Sequence, residues 1–213
     1  MKILDTLDRR GETEVVLYSD TCGAQNRNCV LGTAILHFLS RARNVQSVDQ
    51  KFFESGHSHM ECDSMHSAIE SSCQKVELDL PSDYHQCMER ARRGKPYVIS
   101  ELTHEDIVDY KAFNARHFSS TAFSGIIKVH HIRYQSNSGR PSATMSNEID
   151  GTMADVRYRK RGGQVNLAQK PADAYQSPPG VDKQKKSDLL SLIPHLKSKA
   201  MGRLFYSSLA ESN

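Results

Sequence analysis

The feature that most limits the fold of this chain is a switch between two apolar periodicities in residues 14–53. Residues 14–19, EVVLYS, form an apolar run of strand length. Residues 25–42 repeat apolar side chains at helical spacing, and residues 45–53, VQSVDQKFF, return to a strand pattern. A strand, a helix and a strand in this order are typical of parallel pairing through a crossover. We therefore predict an α/β layer fold with some parallel pairing.

The next segments continue the alternation of helices and strands. The spacing predicts a helix from near Ser58 to Gln74 and another that opens at Ser82 and Asp83. A strand is expected at 96–100, PYVIS, and a short helix at 104–113. These elements extend the predicted sheet and its flanking helices.

The second half of the chain reads differently. Strands are predicted at 125–135, 154–161 and 164–168, which together suggest a small basic β-rich subdomain. An amphipathic helix is expected near the C-terminal end. We divide the chain into an α/β core (1–113), a basic β-rich extension (114–169), a Pro-, Lys- and Ser-rich linker (170–187) and a C-terminal helical tail (188–213).

Charge is distributed unevenly along the chain, although the net charge is only +3. Residues 1–110 carry 12 Lys and Arg and 18 Asp and Glu, whereas residues 111–170 carry 10 and 3. An acidic, site-bearing half followed by a basic segment fits a polyanionic partner such as DNA, and a plain solvated basic surface is the alternative.

The composition also indicates in which cellular compartment the protein is expected. The five cysteines show no repeated spacing, as expected for reduced thiols of an intracellular protein. No apolar run approaches the ~18 residues of a membrane span. Because MKILDTLDRRGE lacks the apolar stretch of a signal peptide, we expect the nucleus or cytoplasm, with no secretion and no membrane partner.

The first candidate site follows the first strand directly, in the stretch SDTCGAQNRN. Asp20 stands at the carboxyl end of that strand, where functional groups collect in α/β sheets. The alternative is that Asp20 caps the next helix. Gln25, Asn26 and Asn28 could likewise cap that helix or contact a phosphate backbone.

The second candidate site is the stretch GHSHMECDSMHSAIE. On a helix, His59, Asp63, His66 and Glu70 share one face. A crossover can return the chain to the same sheet edge, which would bring Asp63 towards Asp20. Because two adjacent carboxylates repel each other unless a cation lies between them, this pair predicts Mg²⁺ or Mn²⁺ binding.

Together the two motifs resemble those of uncharacterised transposon-derived proteins of animal genomes that carry an RNase H-like, DDE/D-type transposase domain. The shared pattern is S-D-x-C-x-x-Q-N-x-N, then G-H-S, an Asp and I-E, and it comprises Ser19, Asp20, Cys22, Gln25, Asn26, Asn28, Gly56, His57, Ser58, Asp63, Ile69 and Glu70. The tail, with KKSDLLSLIP and LFYSSL, is of the same kind.

The resemblance implies a partial RNase H-like core within residues 1–113 and metal-dependent DNA strand cleavage and transfer. Asp20 would be the second catalytic acid and Asp63 or Glu70 the third. Asp20 and Asp63 would be metal ligands, with Glu70 or His57 assisting. The first acid would lie on a strand upstream, so the chain is expected to be the C-terminal part of a longer transposase and inactive alone. A homo-oligomer is also compatible with this reading.

Three other interpretations stay open. His57, His59, Cys62 and His66 fit a zinc pattern, H-x-H-x2-C-x3-H, of a zinc-stabilised interaction domain.

The basic run RYRKR offers Arg157, Arg159, Lys160 and Arg161 to a phosphate backbone, with Tyr158 placed for stacking on a base. Its alternative is an exposed strand edge protected by cations. Finally, the chain could be a non-catalytic nucleic-acid- or protein-binding module that keeps only the transposase scaffold.

Overall fold

The computed structural model describes residues 1–54, 60–160 and 166–212. The chain divides into two compact units. Unit 1 comprises Met1–Ser58 and Asp109–Ala172, and unit 2 comprises His59–Val108 and Asp173–Asn213.

Unit 1 is built on one open sheet of mixed direction. Its strands are β1 (Glu14–Ser19), β2 (Ser47–Phe52), β3 (His131–Asn137), β4 (Arg140–Ser146) and β5 (Ala154–Asp155). They lie in chain order across the sheet; β1 and β2 pair in parallel and every later pair is antiparallel. The predicted α/β class and the parallel pairing are confirmed.

The α-helices of the described residues are divided between the units. Unit 1 contains α1 (Lys2–Arg9), α2 (Cys29–Leu39) and α5 (Tyr110–His117), and unit 2 contains α3 (Glu61–Cys73), α4 (Pro81–Arg90), α6 (Lys183–Ser191) and α7 (Lys199–Ser208). Among the residues described, no helix is long and apolar enough to cross a membrane.

The crossover helix α2 forms the apolar core together with the sheet. Ile35, Leu36 and Phe38 of α2 have no exposed surface, and neither do Val48 and Ile132 on the sheet. Side chains at helical spacing therefore cover alternate side chains of the strands, as the sequence pattern predicts. This packing fixes the carboxyl end of β1 relative to the start of α2.

The basic β-rich segment is not a separate subdomain, which corrects the prediction. β3 pairs with β2 along its length, so β3, β4 and β5 extend the same sheet as β1 and β2. The alternation that predicts these strands carries no information about which sheet they join, because that depends on long-range pairing.

Several predicted strands are shorter than expected or absent. Residues 96–100 form no strand, and Val98 is 93% exposed without a neighbouring strand to pair with it. The strand expected at 125–135 begins only at His131, because Gly125 adopts a left-handed conformation (φ 79°) and a 3₁₀ turn covers Ile126–Lys128.

Two further strands of the basic segment also differ from expectation. Of 154–161, only Ala154–Asp155 is strand. In 164–168, the first two residues lie outside the described ones and 166–168 are not strand. In the predicted linker, α6 already begins at Lys183, after the side-chain cap of Asp182.

Candidate functional site

Asp20 follows the last residue of β1 and is half-buried. Its Oδ1 accepts a hydrogen bond from the backbone N–H of Cys22 at 3.1 Å and a second from Nδ2 of Asn26 at 2.7 Å. No described residue donates to Oδ2. The loop therefore fixes one carboxylate oxygen of Asp20.

Asp20 is not the cap of α2, so that alternative is wrong. The cap is Asn28, whose Oδ1 accepts from the backbone N–H of Leu31 at 2.9 Å. The same side chain donates from Nδ2 to the carbonyl oxygen of Gln25 at 3.2 Å. Capping thus accounts for Asn28, whereas the side chain of Gln25 is exposed.

The loop that carries Asp20 is attached to the core through a buried amide that the sequence analysis missed. Gln50 on β2 is 3% exposed; its Nε2 donates to the carbonyl oxygen of Asn26 at 2.8 Å. Its Oε1 accepts from the hydroxyl of Tyr134 on β3 at 3.1 Å. Full burial raises the pKa of Tyr134, so this hydroxyl remains a donor. Asp20, Asn26, Gln50 and Tyr134 form one chain of hydrogen bonds.

Arg27 strengthens the attachment of the same loop. Its Nη1 donates to the carbonyl oxygen of Val129 at 3.1 Å and its Nη2 to that of Thr21 at 3.4 Å. The guanidinium also lies 5.6 Å from the ring centroid of Phe52. These contacts make Arg27 a structural cation of the loop.

Asp63 of the second motif lies in the first turn of α3 and is exposed. Its Oδ2 accepts from the backbone N–H of Met60 at 2.7 Å, as in a capping box. His66 and Glu70 follow on the helix and are also exposed. Asp63 belongs to unit 2 and Asp20 to unit 1.

The metal-site interpretations are only partly covered by the described residues. His57, which belongs to both the catalytic and the zinc patterns, and His59, which belongs to the zinc pattern, lie outside them. Within 1–54, 60–160 and 166–212, no three His, Cys, Asp or Glu side chains are grouped so that they could hold a metal ion. Cys62 and His66 are exposed on α3.

The basic run that begins at Arg157 is attached to the core through the side chain of Tyr158. Tyr158 is 5% exposed, stacks on Phe118 with 5.2 Å between ring centroids, and donates a short hydrogen bond to the carbonyl oxygen of Pro141. Its ring is therefore not available to stack on a base, which corrects that part of the prediction.

The cations of this segment differ in their partners. Lys160 donates from Nζ to the carbonyl oxygens of Ala115 at 2.9 Å and Arg116 at 3.1 Å, at the C-terminal end of α5. Arg157 and Arg159 are exposed, and Arg161 lies outside the described residues. Among the described residues, Arg157, Arg159 and Lys160 are all exposed, and the guanidinium of Arg159 lies 5.7 Å from the ring centroid of Tyr158.

A buried ionic cluster on the sheet was also missed by the sequence analysis. Asp49 on β2 is 5% exposed; its Oδ1 lies 2.6 Å from Nε2 of His131 and 2.8 Å from Nε of Arg133. Burial alone would raise the pKa of Asp49, but the hydrogen bonds and charges of Arg133 and His131 outweigh it and hold the pKa below its usual value. The partners are 84 and 82 residues away, which leaves no local sequence signal.

An apolar groove of about 790 Å³ lies in unit 2 between α4, residues 99–102 and α7. Two polar side chains are in its lining, with Nδ1 of His85 2.9 Å from Oε1 of Glu101. None of the predicted site residues that the structure describes lines this groove.

The sequence profile of the family described as "Domain of unknown function (DUF7869)" matches residues 1–150. No curated protein and no solved structure matches the chain. The matched residues include β1 to β4, the Asp20 loop and the α3 motif.

Proposed function

The chain belongs to the DUF7869 family, and we propose that it acts on DNA as a domain of the RNase H-like, DDE/D transposase type, in which Asp20 is a metal-binding carboxylate. The observation that carries this proposal is the placement of Asp20. It stands at the carboxyl end of a strand that pairs in parallel with the next one through a crossover helix. One of its carboxylate oxygens is fixed, and the other has no donor among the residues that the structure describes. Such strand ends are where ligands bind in open α/β sheets.

The donor chemistry of the proposed site suits a hard divalent cation. Carboxylate oxygens are the ligands that Mg²⁺ and Mn²⁺ prefer. The sequence pattern offers Asp63 as a further carboxylate ligand, with Glu70 or His57 assisting. A bound ion would activate a water or a 3′-hydroxyl and stabilise the leaving oxygen in phosphodiester chemistry. Asn26 and the N–H of Cys22 fix the orientation of the carboxylate of Asp20, which would hold the ion.

Metal binding by the full chain tests the role of Asp20. We expect Asp20→Asn to weaken Mn²⁺ binding at least about tenfold in calorimetric titration, because the substitution removes a charged ligand. Asp155→Asn is the matched control, since Asp155 is an exposed carboxylate on β5 of the same unit. Unchanged Mn²⁺ affinity in Asp20→Asn contradicts the proposal.

The catalytic part of the proposal has its own assay. A supercoiled plasmid is incubated with Mg²⁺ or Mn²⁺ and with a longer form of the protein that carries any upstream sequence. Nicking should disappear in Asp20→Asn and persist in Asp155→Asn. Retention of nicking by Asp20→Asn would show that another residue carries the chemistry.

A second candidate is a non-catalytic nucleic-acid-binding module, and two observations favour it. The Oδ2 of Asp63 accepts a hydrogen bond within its own helix cap, which gives this side chain a structural role. In addition, Arg157 and Arg159 are exposed on a backbone fixed by the buried Tyr158. Cations on a rigid segment neutralise phosphates at a low entropic cost.

The salt dependence of DNA binding distinguishes this candidate. The logarithm of the DNA association constant falls with the logarithm of the salt concentration. Replacing Arg157 and Arg159 by Gln should reduce the magnitude of this negative slope by about 2, since each phosphate contact contributes about 0.9. Lys183→Gln with Lys185→Gln is the matched control, because both are exposed cations of α6. Binding that survives Asp20→Asn and needs no metal supports the module, whereas equal losses in both double variants oppose it.

A further inference from the structure

The apolar groove of unit 2 has walls that polar contacts hold in place. It is lined by α4, by the segment 99–102 and by α7. The hydroxyl of Tyr206 on α7 donates to the carbonyl oxygen of Asp79 at 2.6 Å, and the backbone N–H of Lys197 donates to Oδ2 of Asp79 at 2.8 Å. Because Asp79 lies two residues before α4, these contacts attach α7 to the start of α4. The groove is therefore preformed, as binding sites for small ligands usually are.

The walls of this groove expose apolar side chains to solvent. Met201, Leu204 and Phe205 line it at helical spacing on α7, and Met201 and Leu204 are 52% and 69% exposed. Leu102, from the segment 99–102, is 63% exposed. Apolar ligand atoms that enter the groove would remove these side chains from water, which is favourable. The volume of about 790 Å³ lies in the range of about 300–1,000 Å³ that is typical of small-molecule sites.

The charge of the lining indicates which polar group such a ligand should carry. Among the described residues that line the groove, only His85 and Glu101 are ionisable, and none is Lys or Arg. The carboxylate of Glu101 is thus the only formal anion of the lining. One of its oxygens lies 2.9 Å from Nδ1 of His85, and its side chain is 73% exposed, so the carboxylate remains accessible. An ammonium group would complement this charge and donate hydrogen bonds to the carboxylate, whereas an anionic group would be repelled.

We propose that the groove binds a hydrophobic amine, a small ligand with an elongated apolar body and one ammonium group. The apolar body would lie against Leu102, Met201 and Leu204, and the ammonium group would pair with the carboxylate of Glu101. His85 would act as a positioning residue, because it lies beside one carboxylate oxygen and limits where Glu101 can turn.

This inference does not rest on the proposed function. The groove is formed within unit 2, whereas Asp20 belongs to unit 1. A ligand that binds only the folded form stabilises it, so the amine should also slow hydrogen exchange in α4 and α7.

Nuclear magnetic resonance of isotopically labelled methionine methyl groups tests the proposal in the full chain. Met88 and Met201 line the groove, and Met145 on β4 is the reference in unit 1. The probes are decylamine, decanol and decanoate, each below its micelle-forming concentration at about pH 7, where an alkylamine is protonated as lysine is. Decylamine should shift the signals of Met88 and Met201 and leave that of Met145 unchanged. It should bind about three- to fivefold more tightly than decanoate, since an exposed ion pair contributes little.

Matched variants separate the charge of the groove from its apolar surface. Glu101→Gln should abolish the preference for decylamine over decanoate, whereas Glu105→Gln, an exposed carboxylate outside the lining, should keep it. Leu204→Ser should weaken the binding of all three probes, and Leu192→Ser, also exposed but outside the lining, should not.

Three results would overturn the proposal. Decylamine leaves the methyl signals of Met88 and Met201 unchanged, decanoate binds the parent chain as tightly as decylamine, or Glu101→Gln retains the preference. Methyl signals that change with protein concentration rather than with the amine would also contradict it, because they would identify the groove as a contact between copies of the chain.

Discussion

At the scale of single residues, unit 1 buries two titratable side chains in opposite ways. Asp49 is charged and has two cationic or hydrogen-bonding partners, Arg133 and His131. His37 on α2 is 5% exposed, and its only polar contact among the described side chains is Nδ1 with the hydroxyl of Tyr110 at 3.1 Å. The first is stabilised as an ion and the second as a neutral ring, so the two side chains respond to acid over different pH ranges.

The neutral state of His37 predicts a loss of stability in mild acid. Burial, together with the charge of Arg41, lowers the pKa of His37 to about 4. In the unfolded chain His37 is protonated below about pH 6.5, whereas in the folded chain it stays neutral down to about pH 4. The free energy of unfolding therefore falls as the pH falls from about 6.5 to 4. The difference corresponds to about 3 kcal/mol. Urea unfolding at pH 7, 5.5 and 4.5 measures it.

The matched pair of variants for this prediction is His37→Gln and His66→Gln. His37→Gln should flatten the pH dependence, and His66→Gln, which replaces an exposed histidine, should retain it. An unchanged slope in His37→Gln would place the acid response elsewhere.

Asp49→Asn is expected to destabilise the protein by about 3 kcal/mol, since the guanidinium of Arg133 and the ring of His131 lose their charged partner. The depressed pKa of Asp49 means that its contribution is complete above the unfolded value of about 3.9 and is lost as the pH falls through the lower folded value. Urea unfolding monitored by circular dichroism measures the change. Asp155→Asn, on the exposed β5, should remain within about 0.5 kcal/mol of the parent.

At the scale of elements, α2 determines how the candidate site is held. It begins after the Asn28 cap and packs so closely on the sheet that Gly32 leaves no room for a side chain. A Cβ at Gly32 would lie 2.8 Å from Cζ of Phe123 and 3.1 Å from the hydroxyl of Tyr134. The absence of a side chain at Gly32 therefore leaves room for the Tyr134 hydroxyl in the position from which it donates to Gln50.

Gly32→Ala should lower stability by a net ~1 kcal/mol. Overpacking costs about 1–3 kcal/mol, and the better helix propensity of Ala returns part of it. Gly94→Ala is the control, because a Cβ there meets nothing within 4 Å. Thermal unfolding of both variants decides the matter, and a stabilised Gly32→Ala would mean that the ring of Phe123 yields freely.

Sequence periodicity predicted the elements whose cause is local. β1, β2, α2, α3 and α4 were found near their predicted positions because each carries an uninterrupted strand or helix pattern. The strand expected at 96–100 failed since strand-forming residues need a neighbouring strand, and the sequence does not say whether one is present.

The candidate site shows the same division. The position of Asp20 at a strand end was predictable from the apolar run before it. Its fixation was not, because Gln50 reaches the loop across 24 residues of chain and Tyr134 reaches Gln50 across 84, by contacts that only the folded sheet creates.

At the scale of the whole molecule, the two units differ in how much apolar surface they bury. The main core lies in unit 1 and includes Phe38, Phe52, Phe118 and Tyr134. Of the buried apolar side chains among the described residues, only Cys87 and Ile193 belong to unit 2. Because burial supplies most of the stabilising free energy, unit 2 should be the less stable one.

Hydrogen exchange followed by mass spectrometry tests this difference. Peptides from α3, α4, α6 and α7 should exchange at least about tenfold faster than those from α2 and β1 to β3. Asp49→Asn should accelerate exchange in the unit 1 peptides from α2 and β1 to β3. It should leave exchange in the unit 2 peptides unchanged, as expected for units that unfold separately. Equal protection throughout would mean that the chain unfolds as a single cooperative body.

The buried amide of Gln50 has a consequence for any ligand that reaches Asp20. Because Gln50 is confined between Asn26 and Tyr134, the Asp20 loop has the rigidity of the sheet rather than that of a surface turn. Its conformational entropy is lost during folding, before an ion or a phosphate arrives. The binding that we propose at Asp20 would therefore be preorganised, and its affinity would depend on Gln50, a side chain outside the proposed site.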